Sequence, residues 1–87
     1  MGRVAQVVIP VHVEPLEDGW HLAICDAIQG CHAEGDTVKE ALENIEDAAR
    51  ILFELEREKG LRLDPIFEGV PADAVIKAQL VEGAPGV

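Results

Sequence analysis

The chain has 87 residues, 48% of them hydrophobic and 28% charged, with a formal net charge of −10. That length suits one domain, and at this size folding buries roughly 60% of the unfolded chain's surface, so disulfides, a metal or self-association would help stability. The acidic balance opposes binding to nucleic acid or to anionic membrane surfaces, which need clustered Lys and Arg, and favours a basic partner or simple solubility.

Val7 to Glu14 reads as a first strand. Val7, Ile9, Val11 and Val13 form an apolar face, and Val8, Pro10, His12 and Glu14 a mixed one. Pro10 cannot donate a ladder hydrogen bond and points to an edge strand or a bulge. Pro15 to Gly19 carries the Asp-Gly hairpin signal, and Trp20 to Cys25 is the return strand. There the larger Trp20, Leu22 and Ile24 are expected on the core face, with His21, Ala23 and Cys25 opposite. Asp26 to Gly30 is a short connection, Cys31 to Glu34 a third strand, and Gly35-Asp36 a break.

A helix is expected from about Thr37 to Lys59. Thr37 and Glu40 have capping-box spacing, and Val38, Ala41, Leu42, Ile45, Ala48, Ala49, Leu52 and Leu55 recur at helical period. Acidic residues, with some Lys and Arg, fill the other face, where Glu46 and Arg50 are placed for an i,i+4 pair. Gly60 stands where a helix-ending glycine belongs. Leu61 to Asp73 reads as a loop, Val75 to Val81 as a fourth strand, and residues 83–87 as a tail. The reading is α+β: a two-layer βββαβ domain over residues 1–87, with its core at about 4–82 and a small antiparallel sheet carrying one long helix. One helix covers one sheet face. Val8, His12, His21, Ala23 and Val81 are therefore assigned to the open face and to self-association as a dimer or tetramer.

The string from Cys25 to Asn44 resembles the HicB-like antitoxin family. That family has a Pro-Asp-Leu-x-Gly-Cys connection, a third strand, then Gly-Asp-Thr-x-x-Glu-Ala and a long helix. Asp26, Gly30, Cys31, Gly35, Asp36, Thr37, Glu40, Ala41 and Asn44 match it. Cys25 stands where the family usually has Pro. The resemblance covers about residues 7–59. It implies a truncated ribonuclease-H-like fold and neutralisation of a small basic HicA-like ribonuclease by covering its RNA-binding surface. Many HicB proteins continue into a DNA-binding segment; this sequence ends at Val87, so no C-terminal DNA-binding domain is expected. The motif residues Asp26, Gly30, Gly35, Asp36, Thr37, Glu40, Ala41 and Asn44 are read as fold determinants. Gly35 would turn the chain into the helix, Asp36 or Thr37 would cap its first N–H groups, and Glu40 would close the capping box.

No catalytic residue, cofactor or metal site is assigned. His12, His21, Cys25, Cys31 and His32 lack CxxC or HxxxH spacing, and His12, His21 and Cys25 are expected on the open face. Adjacent Cys31 and His32 would point to opposite sides of a strand, so they cannot act as a nucleophile–base pair. The sequence shows no secretory signal or membrane-length apolar run, so a cytoplasmic protein with reduced, buried cysteines is expected. The other reading of the same fold is an oligomeric binding or structural module without a toxin partner.

Overall fold

The structure is a computed structural model describing residues 4–60 and 64–81. Four strands form one mixed sheet in the order β3-β2-β1-β4, with β1 at Gln6–Pro15, β2 at His21–Cys25, β3 at Cys31–Gly35 and β4 at Val75–Leu80. A single helix, α1 at Val38–Lys59, packs on one face, and a 3-10 turn at Pro65–Phe67 lies in the return connection. The α+β layering is as expected. The sheet is not purely antiparallel: β4 runs parallel to β1, with Val7 beside Ile76 and Ile9 beside Ala78. Alternation marks a strand but does not encode its direction. The residues assigned to the tail lie outside those described.

Pro10 sits in a central strand, not on an edge. The odd carbonyls of β1 accept from β4, as in Val75 N–H to Ala5 and Val81 N–H to Val11. Even positions therefore face β2. In that antiparallel register His12 opposes Ile24, so Pro10 would meet residue 26, beyond the end of β2. Its missing N–H leaves no ladder position empty.

The hairpin is closed by a hydrogen bond from Leu16 N–H to Trp20 C=O. It sets Val13 opposite Ala23. The faces of β2 are thus the reverse of the expectation. Ala23 and Cys25 are buried beneath α1, and Leu22 and Ile24 are half-buried on the open face. Alternation separates the two sets, but register fixes which of them faces the helix. Small residues suit the covered positions because α1 lies close to β2 and β3 there.

α1 begins and ends as its sequence predicts. Thr37 accepts the Glu40 N–H at 3.0 Å, and the Glu40 carboxylate accepts the Asp36 N–H at 2.6 Å. Gly60 closes the helix in the left-handed region (φ 67°), donating its N–H to Glu56. Ala41, Ile45, Ala49 and Phe53 form the buried stripe, against Ile9, Val11, Ile28 and Ile76 from the sheet side. Phe53, absent from the expected stripe, meets Phe67 with ring centroids 4.8 Å apart. Leu55, which was in that stripe, is exposed, as is Val38.

Candidate functional site

Six of the residues matching the family motif, Gly35, Asp36, Thr37, Glu40, Ala41 and Asn44, gather where β3 hands over to α1. Gly35 is buried, and its role differs from the expected turn. A Cβ there would stand 2.7 Å from Cα of Ala41 and 2.8 Å from the carbonyl carbon of Glu40. The requirement is close approach of the helix's first turn. Ala41 is fully buried against that point. Asn44 donates from Nδ2 to the Glu34 carbonyl at 2.8 Å, tying α1 to β3. Asp26 and Gly30 lie in the β2–β3 connection, exposed. The motif therefore sets the junction of strand and helix.

Arg50 does not pair with Glu46. Its Nε donates to Glu54 at 2.8 Å, and its two terminal nitrogens donate to the carbonyls of Ala74 and Ala72 at 2.6 and 2.8 Å. Glu46 instead accepts the Ala78 N–H at 2.8 Å. The outer surface of α1 is left acidic, with Glu43, Asp47, Glu54 and Glu58 exposed.

The open sheet face carries Val8, His12, Leu22, Ile24, His32 and Val75, and Val81 follows β4 at the matching parity. Val8, Val75 and Val81 are each nearly half exposed, at 47%, 46% and 48%. Two residues assigned to this face belong elsewhere. Ala23 is fully buried under α1, and His21 alternates with it on the covered side, its Nδ1 buried with no hydrogen-bond partner among the described residues. The same register error hid Leu22 and Ile24. An open groove of about 580 Å³ runs along the β2–β3 end of the sheet, walled by Leu22, Ile24, His32 and Glu34.

This arrangement separates the groups that a metal reading would combine. His12 and His32 are on one face, and His21, Cys25 and Cys31 on the other. Among the described residues, no three His, Cys, Asp or Glu side chains lie close enough to share an ion. His12 is 3.9 Å from both Glu14 and Asp26. Cys25 and Cys31 are register partners, both buried and both free. The neighbouring Cys31 thiol lowers the Cys25 thiol's pKa, outweighing burial, and the same pairing pushes Cys31 up. No helix among the described residues is long and apolar enough to cross a membrane.

The UPF0150 protein ssl0738 of Synechocystis sp. is 33% identical over 69 residues, which span 79% of this chain and 88% of that protein. The chain belongs to the UPF0150 family. A second UPF0150 protein of Synechocystis sp., ssr1765, is 44% identical over 39 residues, covering 45% of this chain and 48% of that relative. No protein-family model matches this UPF0150 chain, and no solved structure does.

Proposed function

We propose that this UPF0150 chain is a HicB-like antitoxin, which binds a small basic HicA-like ribonuclease and covers its RNA-binding surface. The observation that carries the reading is the Asp26–Asn44 string, folded as one unit: a short turn, a third strand, a helix seated against Gly35 and a capping box. The net charge of −10 supports it, because an acidic surface steers a basic protein and competes with RNA phosphates for it. Exposed acids on α1 are the proposed contacts. In this reading the chain acts by binding, without catalytic turnover or a cofactor, and works in the cytoplasm.

The test is co-expression with a small basic protein encoded beside this chain. Growth arrest by that protein alone, relieved by this chain, supports the reading. No arrest, or arrest that this chain neither binds nor relieves, contradicts it.

The second reading, an oligomeric module without a toxin partner, draws on the valines of the open sheet face. Dimer or tetramer formation at micromolar concentration together with no basic binding partner would favour it.

A further inference from the structure

We infer that Cys25 and Cys31 form a redox-active dithiol that hydrogen peroxide converts into a disulfide across the β2–β3 hairpin. The two residues are direct partners in the last rung of an antiparallel ladder, and both side chains face α1. Opposed residues of such a ladder have Cα atoms about 4.5–5.5 Å apart, inside the roughly 4.4–6.8 Å that a disulfide spans. Both thiols are free.

The environment also gives the two sulfurs different tasks. The neighbouring Cys31 thiol, together with the Ala27 and Ile28 backbone, shifts Cys25 toward the thiolate. Cys31 holds its proton. The thiolate is the nucleophile in thiol chemistry. The groove at the β2–β3 end touches both residues but lies on the open face, while the thiols themselves face α1. Their own exposure is only 1% and 3%, which selects a small, uncharged oxidant over a bulky disulfide.

In the first step Cys25 sulfur attacks one peroxide oxygen and the O–O bond breaks. The displaced hydroxide takes the Cys25 proton as water, and Cys25 becomes a sulfenic acid. Cys31 sulfur then attacks Cys25 sulfur, the S–O bond breaks, and a second water leaves with the Cys31 proton. Two thiols and one peroxide give one disulfide and two waters, with two electrons passing from sulfur to peroxide.

The experiment treats the full folded chain with hydrogen peroxide, alkylates it in denaturant and measures its intact mass. The expected product is a monomer lighter by two hydrogens that takes no alkyl group, and a dithiol reductant restores two alkylation sites. In Cys31→Ser, dimedone should trap a sulfenic acid on Cys25. A wild-type chain that keeps both alkylation sites, forms a covalent dimer or accumulates sulfinic acid overturns the proposal. The wild-type mass decides the matter even if a serine variant fails to fold.

Discussion

Asn44 and Glu46 leave α1 two residues apart and end on opposite edges of the sheet. Asn44 Nδ2 donates to the Glu34 carbonyl on β3, and the Glu46 carboxylate accepts the Ala78 N–H on β4. β3 and β4 are the outer strands, and both groups point away from the neighbouring strand. One helix thus occupies a backbone group on each free edge, where an unpaired ladder would invite another chain. The double variant Asn44→Ala, Glu46→Ala should lose about 1–3 kcal/mol of stability and form larger species at a concentration where the parent does not. Light scattering checks this; unchanged size and stability would refute the edge role.

Gly35 should tolerate no side chain. In Gly35→Ala the new methyl would press on the backbone of Ala41 and Glu40, where nothing can rotate away. Overpacking of this kind costs about 1–3 kcal/mol. The loss would be read from the midpoint of urea denaturation, with Gly69→Ala serving as a control for positive-φ strain where a Cβ meets nothing within 4 Å.

The aromatic contact missing from the expected helix stripe should dominate the core. Phe53→Ala removes the ring that meets Phe67 at 4.8 Å and should cost about 3–5 kcal/mol. Ile51→Ala, at a side chain 64% exposed, should change stability by less than about 0.5 kcal/mol. Equal losses at the two sites would show that the helix is rotated from the orientation described.

Glu56 should give the fold a pH dependence. Partial burial raises its carboxyl pKa above the ordinary value, aided by the side chain and charge of Asp64 and opposed by the Asp64 N–H it accepts at 3.0 Å. A raised acid pKa means that the folded chain binds this proton more tightly than the unfolded chain does. Its contribution is therefore present in acid and is lost as pH rises from the unfolded glutamate value through the raised one. Denaturation midpoints measured across that window should fall with pH less in Glu56→Gln than in the parent.

The ends of the helix were legible because each rests on local chemistry. Thr37, Glu40 and Gly60 bound the helix through hydrogen bonds made within one turn. Register was not legible. The Leu16–Trp20 closure places Ala23 inside, although Leu22 and Ile24 are more hydrophobic. That reversal moved His21 and Ala23 off the open face and put two aliphatic residues on it. The fate of Glu46 was equally hidden, since an i,i+4 partner in sequence competes with a β4 backbone group 32 residues away.

The most direct test of the proposed antitoxin action is an RNA-cleavage assay with the purified basic partner and increasing amounts of this chain. The account predicts that cleavage stops when the chain saturates the partner, and that added salt weakens the inhibition by screening the acidic surface. Continued cleavage at saturation, or no complex at low salt, would contradict it.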